Sequence, residues 1–312
     1  MEAVVNPPAS VVAVVVTYRR EKELVRLLDG LAQSTVPLLG CIVVDHSPDN
    51  SLHDIAASQP LHIHLLENPD NPGPGAGWAA GAKEALSRFG SSMDAVWYLD
   101  DDVVIAPQIL EVLLGAMKQA SACAVAPLLE DASGNLWGFP EPLALKQRST
   151  IRQARTPGDA LRLLGPDPLP FCWATGACLL VKKESLQSVG FHRPDFWMLG
   201  EDLEYSMRLA AGGRAVFTCL AVVPHLPPPP VDRESARLSD LRKFRALLQN
   251  LSYLAFHCPH SAHMWRYLPG NFLRFFRTHG IRASTLAGAV ACFWHGAVRS
   301  RPAGHPKCQL PR

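Results

Sequence analysis

The chain has 312 residues, 48% of them hydrophobic, and a formal net charge of only +2. It is long enough to bury one large core or two modest ones, and no apolar run is long enough to span a bilayer. The charge is uneven, because residues 231–312 hold 13 Lys and Arg against 3 Asp and Glu, a net of +10, which leaves −8 for residues 1–230. The basic, aromatic tail predicts an anionic surface or acceptor as its partner, or else a solvated helical appendage packed on the body. We expect no nucleic-acid partner.

The eight cysteines are scattered without a CxxC pair, and most of them lie in apolar runs. That usage predicts a reducing compartment rather than a disulfide framework. The first residues lack the basic start and cleavage pattern of a signal peptide. We therefore expect a cytoplasmic protein, either free or in peripheral contact with the inner face of the plasma membrane.

Strand and helix patterns alternate through the first 120 residues. The predicted strands are rich in β-branched residues and span residues 11–16, 41–45, 62–66 and 95–99. The predicted helices follow residue 20, run from 78 to 89, and follow Pro107, and the first and the third carry leucines at helical spacing. Such alternation predicts an α/β fold with a mostly parallel, Rossmann-like sheet.

The second half of the chain is less regular. Residues 134–170 are rich in Pro, Gly and Arg, so we predict long loops there. A buried run at 177–181, a helix over 202–211 and a late strand at 215–219 follow. The proline run that ends at residue 230 predicts a stiff spacer, which divides a catalytic domain (1–230) from a basic, mainly helical region (231–312).

Polar residues follow three predicted strands at the point where each strand ends. Thr17 and Asp45 end the first two, and the consecutive Asp100, Asp101 and Asp102 end the fourth. In parallel sheets, ligands bind beyond the carboxyl ends of the strands. Crowded carboxylates repel one another unless a cation offsets them, and Mg²⁺ or Mn²⁺ takes such ligands together with substrate phosphates. The alternative is a solvated acidic turn.

Each of three further features has two interpretations, one chemical and one structural. The glycine-rich stretch from Asn71 to Gly77, which includes Gly73 and Gly75, either lets the backbone approach a ligand or forms a structural turn. The pair Glu201 and Asp202 either caps a helix or supplies a general base. His225 is either an ordinary histidine or a third metal ligand beside the carboxylates.

The order of these elements resembles glycosyltransferase family 2, within it the bacterial rhamnosyltransferase and galactofuranosyltransferase branch. The resemblance covers about residues 10–250 and rests on seven short segments: VVVTYRR (14–20), VVDHS (43–47), residues 71–81, YLDDD (98–102), ATGA (174–177), GED (200–202) and His225.

The resemblance implies a GT-A type fold and inverting, metal-dependent transfer of a rhamnose- or galactofuranose-like sugar. The donor would be a UDP- or dTDP-linked sugar, and the acceptor a glycan or lipid-linked hydroxyl. Asp202 would be the base and Glu201 would position the acceptor, while Asp100, Asp102 and His225 would hold Mg²⁺ or Mn²⁺. The implied donor-binding residues are Thr17, Tyr18, Arg19, Asp45, Asn71, Gly73, Gly75, Asp100 and Asp101. The implied acceptor-binding residues are Trp173, Thr175, Gly176 and Trp197.

Two other functions remain open at this point. A phosphohydrolase with a DxD nucleophile would need the first aspartate after an early strand and a glycine and threonine soon after the second, whereas Val103 and Val104 follow here. A non-catalytic sugar-nucleotide-binding assembly subunit is disfavoured because the aspartates, Asp202 and His225 are all present.

Overall fold

The computed structural model describes residues 9–48, 52–227, 233–258, 261–280 and 283–299. Strands form one sheet that helices cover, and the last three helices follow the sheet in sequence. The strands are β1 (Val11–Thr17), β2 (Gly40–Asp45), β3 (Ile63–Glu67), β4 (Ala95–Asp100), β5 (Ala124–Glu130), β6 (Leu136–Trp137), β7 (Glu141–Pro142), β8 (Leu169–Trp173), β9 (Cys178–Lys182) and β10 (Ala215–Pro224). The helices are α1 (Glu21–Ala32), α2 (Leu52–Ser58), α3 (Pro74–Phe89), α4 (Ile109–Gln119), α5 (Leu145–Ile151), α6 (Pro157–Leu164), α7 (Lys183–Val189), α8 (Glu201–Gly212), α9 (Arg233–His257), α10 (Ser261–His279) and α11 (Ala283–Val298).

The sheet is parallel in its first half and mixed in its second. Its strand order is β3-β2-β1-β4-β9-β5-β10-β8-β7, with β6 paired to β5. Strands β3, β2, β1 and β4 are mutually parallel, whereas β9 runs antiparallel to both of its neighbours, β4 and β5. The α/β fold with C-terminal helices is therefore confirmed, although the sheet as a whole is mixed rather than mostly parallel.

Strand β1 shows why the first half forms so regularly. Its β-branched residues are buried on both faces of the sheet, as expected for a central parallel strand. Val11, Ala13 and Val15 face one hydrophobic core, while Val12 and Val14 face the other. The sheet thus separates two apolar layers, and the carboxyl ends of β1, β2 and β4 lie at a common edge of the sheet.

The prediction of long loops over residues 134–170 is wrong in part. The segment contains β6, β7, α5, α6 and the start of β8. Helix α6 begins with a capping box, in which Thr156 Oγ1 accepts from the amide of Asp159 and the Asp159 carboxylate accepts from the amide of Thr156. The helix predicted over 78–89 begins four residues earlier, at Pro74.

Helix α8 is held in the body by a buried ion pair. The Arg208 guanidinium donates to both carboxylate oxygens of Glu204 and to the carbonyls of Val189 and Phe191. Ser206 Oγ accepts from the amide of Ala174 and lies 2.9 Å from the carbonyl oxygen of the same residue. These contacts fix the first turn of α8, where Glu201 and Asp202 lie.

The C-terminal helices pack on the body through a shared apolar cluster. Phe196 and Met207 of the body contact Leu251 and Leu254 of α9 and Leu268 of α10. None of the helices in the described ranges is long and apolar enough to cross a membrane. The spacer predicted at the proline run falls on residues 228–230, outside the described residues, so the domain boundary stays a prediction. The seven cysteines within the described residues are free.

We predict that Arg208→Met lowers the free energy of unfolding by about 3–5 kcal/mol, because it leaves the Glu204 carboxylate buried without its partner. Urea unfolding followed by circular dichroism measures the change. The control is Arg162→Met, since the exposed Arg162–Asp159 pair on α6 should contribute far less to stability than the buried pair. Equal losses in the two variants would contradict a structural role for the buried pair.

Candidate functional site

The strand-end residues do converge at one edge of the sheet. Thr17 is opposite Asp45 in the register of β1 and β2, and Val16 is opposite Asp100 in that of β1 and β4. Thr17 and Asp45 are both buried. The carboxyl ends of three parallel strands therefore place these side chains together, as their positions in the sequence predict.

Arg20 joins this group, although the sequence gives it no distinct signal beyond its place in VVVTYRR. Its Nη1 donates to Asp101 Oδ1 at 2.8 Å and to Asp102 Oδ2 at 2.7 Å. Thr17 Oγ1 donates to the other oxygen of Asp101, Oδ2, at 2.8 Å. Both Asp101 oxygens are thus engaged within the protein, and this side chain serves to hold the turn after β4. Its predicted contact with the donor stays a prediction.

Asp100, Asp102 and His225 form a cluster that fits a divalent cation. Each offers one ligand atom, and the three atoms lie within 4.8 Å of one another. Asp102 Oδ1 lies 3.1 Å from His225 Nε2. Two carboxylate oxygens and one imidazole nitrogen suit Mn²⁺ well and Mg²⁺ through the oxygens. No other group of three such residues with this geometry occurs within the described ranges.

The three aspartates differ in how their charge is compensated. Burial and the neighbouring carboxylates of Asp102 and Asp101 hold the pKa of Asp100 well above its ordinary value. Burial also raises the pKa of Asp101 to about 6, against the opposing effect of Arg20. At Asp102 burial is outweighed by His225 and Arg20, which lower the pKa of this carboxyl. Asp100 is therefore the least compensated of the three, and a nearby cation would favour its ionised form.

Backbone pairing and ring stacking together place His225. It forms an antiparallel bridge with Val103, and its amide donates to the carbonyl of Glu130. The next amide, of Leu226, donates to the carbonyl of Asp102. The Trp137 ring stacks on the imidazole, with ring centroids 3.9 Å apart and an interplanar angle of 12°. The sequence offers no signal for Trp137, because it lies in a segment predicted as loop.

Asp202 is half-buried, with each carboxylate oxygen bound to a backbone amide. Oδ2 accepts from Gly176 at 3.0 Å and Oδ1 from Leu203 at 2.7 Å. Burial raises the pKa of Asp202, although these amide hydrogen bonds oppose the shift. The Asp100 amide donates to the carbonyl of Ala177, the residue after Gly176, and these contacts bring Asp202 near Asp100 of the cluster.

Glu201 lies deeper than Asp202 and is only 6% exposed. Burial, followed by the charges of Asp202 and Asp100, holds its pKa well above the ordinary value. Its Oε2 has no hydrogen-bond partner within the described residues. Burial and the two neighbouring carboxylates therefore favour the neutral form of Glu201.

The glycine-rich loop docks tightly against the segment that precedes α8. A side chain at Gly73, whose φ is +95°, would place its Cβ 1.8 Å from the Trp197 carbonyl oxygen. A Cβ at Gly75 would lie 2.7 Å from the carbonyl oxygen of Arg193. Both glycines are therefore required for close backbone packing, which agrees with the interpretation of this stretch as a structural turn. Their contact with the donor stays a prediction.

The other residues predicted to bind the nucleotide line the ends of β1 and β2. Tyr18 is exposed, and the backbone amide of Arg19 donates to Ser47 Oγ. The amide of Ser47 in turn donates to Asp45 Oδ1. Asn71, at a φ of +43°, donates its amide to the carbonyl of Asn68, whose own amide donates to the carbonyl of Asp45. The structure thus brings this set to one side of the Asp100–Asp102 turn.

The residues predicted to bind the acceptor lie at the end of β8, in the loop after it, and in the segment before α8. Gly176 donates to Asp202, and Thr175 Oγ1 donates to the carbonyl of Gly138 at 3.0 Å. Trp173 lines a cavity of about 460 Å³ together with residues of α10. Trp197 has one ring face covered by the Arg242 guanidinium, whose Cζ lies 3.9 Å from the ring centroid.

Comparison with known proteins places the chain among enzymes that handle sugars. Residues 12–189, more than half of the chain, match the family described as Glycosyl transferase family 2. Galactofuranosyltransferase GlfT1 of Mycobacterium tuberculosis is 29% identical over 214 residues, which are 68% of this chain and 68% of that protein. N-acetylglucosaminyl-diphospho-decaprenol L-rhamnosyltransferase of the same species is 25% identical over 236 residues, which are 68% of this chain and 74% of that protein.

Two solved structures share the fold. S. aureus TarS 1–349 in complex with UDP-GlcNAc has a TM-score of 0.59 at 15% identity, covering 92% of this chain and 81% of that one. The mannosyltransferase PcManGT from Pyrobaculum calidifontis in complex with GDP-Man and Mn²⁺ has a TM-score of 0.55 at 19% identity, covering 94% and 76%. At these identities the likeness shows the GT-A fold and nothing further.

We predict that the protein binds Mn²⁺ and that Asp102→Asn weakens this binding by more than about tenfold, because it removes a charged ligand atom. Titration calorimetry with MnCl₂ measures the affinity. The control is Asp29→Asn, an exposed carboxylate on α1, which should leave the affinity unchanged. Equal affinity in the Asp102→Asn and wild-type proteins would contradict the cluster as a metal site.

Proposed function

Because the chain belongs to glycosyl transferase family 2 and is a glycosyltransferase that uses a nucleotide sugar, we propose that it transfers a rhamnose- or galactofuranose-like sugar with inversion. The donor is a UDP- or dTDP-sugar, and the acceptor is a hydroxyl of a glycan or lipid-linked glycan. The observation that carries this proposal is the placement of the half-buried Asp202 beside the cluster of Asp100, Asp102 and His225. Family membership sets aside both the phosphohydrolase and the non-catalytic subunit.

Asp100, Asp102 and His225 would hold Mg²⁺ or Mn²⁺, and PcManGT, a structural neighbour, is described with bound Mn²⁺. Bound there, the ion would offset the charge that develops on the diphosphate leaving group. Arg20 keeps Asp101 and Asp102 in place through Asp101 Oδ1 and Asp102 Oδ2. Asp101 thus supports the turn, while its neighbours supply the ligand atoms.

Asp202 is the proposed base. Each oxygen that accepts a backbone amide retains a second lone pair, so the carboxylate can still take a proton from an acceptor hydroxyl. As that proton moves to Asp202, the hydroxyl oxygen attacks the anomeric carbon and the bond to the diphosphate oxygen breaks. The electron pair leaves with the diphosphate, and one displacement inverts the configuration. Proton NMR of the first product formed tests the inversion directly.

The nucleotide would lie along the ends of β1 and β2. Thr17, Tyr18 and Arg19 would line its pocket, Asp45 would contact the base or ribose, and the loop with Asn71, Gly73 and Gly75 would close over the donor. In support, a structural neighbour, TarS, is described with UDP-GlcNAc. Trp173, Thr175, Gly176 and Trp197 would form the acceptor side, which is continuous with Asp202 through the Gly176 amide.

We predict that Asp202→Asn lowers turnover by about 10²–10⁴-fold while binding of UDP in the presence of Mn²⁺ persists, because the amide cannot take the proton. Glu201→Gln should have a much smaller effect, since glutamine resembles the protonated acid that burial favours. Coupled release of nucleoside diphosphate measures turnover, and calorimetry measures UDP binding. Wild-type turnover in Asp202→Asn would exclude this residue as the base.

A membrane-proximal acceptor would explain one surface of the C-terminal helices. Leu286, Val290, Trp294 and Val298 recur every fourth residue on α11 and are 50%, 58%, 65% and 57% exposed. The opposite face of α11 packs on α9 through Ala289. With the net charge of +10 in residues 231–312, an apolar stripe of this kind suits the interface of an anionic membrane.

We predict that Val290→Gln combined with Trp294→Gln weakens binding to phosphatidylglycerol-containing liposomes by roughly tenfold, because less apolar surface enters the interface. Co-sedimentation at low salt measures the binding. Leu145→Gln with Leu220→Gln, which changes two apolar residues exposed elsewhere on the body, is the control. If the wild-type protein does not bind such liposomes, the membrane contact is refuted and the transferase proposal is unaffected.

A further inference from the structure

Two histidines, His62 and His64, lie side by side at the edge of the sheet. His64 lies in β3, the first strand in the strand order, and His62 directly precedes that strand. Residues two apart in a strand project from the same face, so both imidazoles lie on one side of β3. Their Nε2 atoms are 2.9 Å apart, and the ring centroids are 4.5 Å apart at an interplanar angle of 86°.

Backbone pairing with β2 fixes the segment that carries the two histidines. The carbonyl of His62 accepts from the amide of Cys41 at 2.9 Å, and His64 is opposite Ile42 in the parallel register. The Phe89 ring, at the end of α3, meets both imidazoles edge to face, with centroids 6.4 and 5.7 Å away. A pair of side chains on a paired strand, supported by an apolar ring, is held in place before any ligand binds.

The protonation state of the pair suits metal binding. His62 is exposed and His64 is partly exposed, so a cation can reach both rings from solvent. The pKa of His64 is lowered by burial and by the positive charges of Arg88 and His62, against the opposing effect of Glu84. A neutral imidazole keeps a lone pair on one ring nitrogen, and this is the form that binds a metal ion.

The spacing of the two nitrogens suits one shared ion. Two nitrogens bound to one tetrahedral Zn²⁺ at about 2.0–2.1 Å lie about 3.3 Å apart, so the present separation of 2.9 Å needs to open only slightly. A straight hydrogen bond between two imidazoles would place the ring centroids about 5.2 Å apart, since each nitrogen lies about 1.15 Å from its centroid. The observed 4.5 Å means that the two nitrogens do not point straight at each other. A shared ion requires rings that are inclined in this way.

We propose that His62 and His64 chelate one Zn²⁺-class cation, with water completing its coordination shell, at a site separate from the cluster of Asp100, Asp102 and His225. Imidazole nitrogen suits Zn²⁺, Ni²⁺ and Cu²⁺, whereas carboxylate oxygen suits Mg²⁺ and Mn²⁺. On binding, two nitrogen–metal bonds replace the hydrogen bond between the rings. The Nε2 proton of the donor ring moves to its own Nδ1 through solvent, so each imidazole keeps one proton. The inference is independent of the proposed function, because the pair lies near the amino end of β3.

Titration calorimetry of the tag-free chain with ZnCl₂, in a reducing buffer, tests the site. We expect His62→Gln with His64→Gln to weaken zinc binding at one site by more than about tenfold, because both ligand nitrogens are lost. Each single variant should lose nearly as much, since one imidazole alone forms no chelate. The matched control, His53→Gln with His295→Gln, removes two histidines exposed elsewhere and should bind zinc as the wild type does. Thermal melting in EDTA confirms that all the variants fold.

Three results would overturn the proposal. The double variant could bind zinc as the wild type does, in which case the histidines form a hydrogen-bonded pair only. Each single variant could lose only half of the binding that the double variant loses, which would mean two independent surface ligands. Asp102→Asn alone could remove all zinc binding, which would place the ion at the carboxylate cluster.

Metal binding and sugar transfer are measured separately on the same proteins. The double variant should keep wild-type Mn²⁺ affinity and wild-type turnover in Mn²⁺, because the histidines lie away from the carboxyl ends of the strands. If the wild type binds zinc at this pair but shows no transferase activity, the proposed function fails alone. If turnover is found and zinc binding at the pair is not, the zinc site fails alone.

Discussion

The concentration of negative charge at the carboxyl edge of the sheet is the constraint on which the rest of this site depends. Asp100, Asp101, Asp102, Glu201 and Asp202 lie within reach of one another's charge, and all but Asp102 have a raised pKa. Like charges so close destabilise the folded state unless something compensates them. Arg20 compensates part of this charge at Asp101 and Asp102, and the raised pKa of Glu201 favours its neutral form. The negative charge that remains uncompensated is centred on Asp100, where a bound divalent cation would offset it.

Close backbone contact gives this charged edge its shape. Gly73 and Gly75 bring the glycine-rich loop onto the segment 193–201, and Gly176 brings the loop after β8 so near to α8 that a Cβ would lie 2.8 Å from that of Asp202. The amide of Gly176 then donates to the Asp202 carboxylate. Because Gly176 has no side chain, its backbone can approach α8 closely, and its amide can orient the Asp202 carboxylate. A larger residue at position 176 would require Asp202 or the Trp78 ring to move.

Site residues that lie at the end of a strand could be predicted from the sequence. Site residues whose role depends on contacts between distant segments could not. Thr17, Asp45 and Asp100 could be placed together because parallel strands end at a common edge. Arg20 could not be assigned, because its salt bridges to Asp101 and Asp102 depend on how α1 leaves β1. Trp137 was hidden in a segment predicted as loop, because its two-residue strand β6 forms only against β5. The antiparallel insertion of β9 also carried no signal, since a buried apolar run shows no direction.

The turn before α8 connects the C-terminal helices to the candidate active site. Leu199 and Gly200 both adopt positive φ angles, +63° and +101°, which is an uncommon conformation for leucine. Asn250 of α9 stabilises this turn, since its Nδ2 donates to the carbonyls of Met198 at 3.1 Å and Leu199 at 2.9 Å.

A second set of contacts holds the same segment from the other end. The Asp195 carboxylate accepts from Arg193 at 2.9 and 2.6 Å, and it pairs with Arg299 at 2.6 Å. The Arg193 guanidinium in turn lies over the Tyr253 ring of α9. The chain that leads into Glu201 and Asp202 is therefore fixed on one side by the glycine-rich loop and on the other by residues beyond 250. The basic region is thus part of the structure that positions the proposed base, in addition to any surface that it presents.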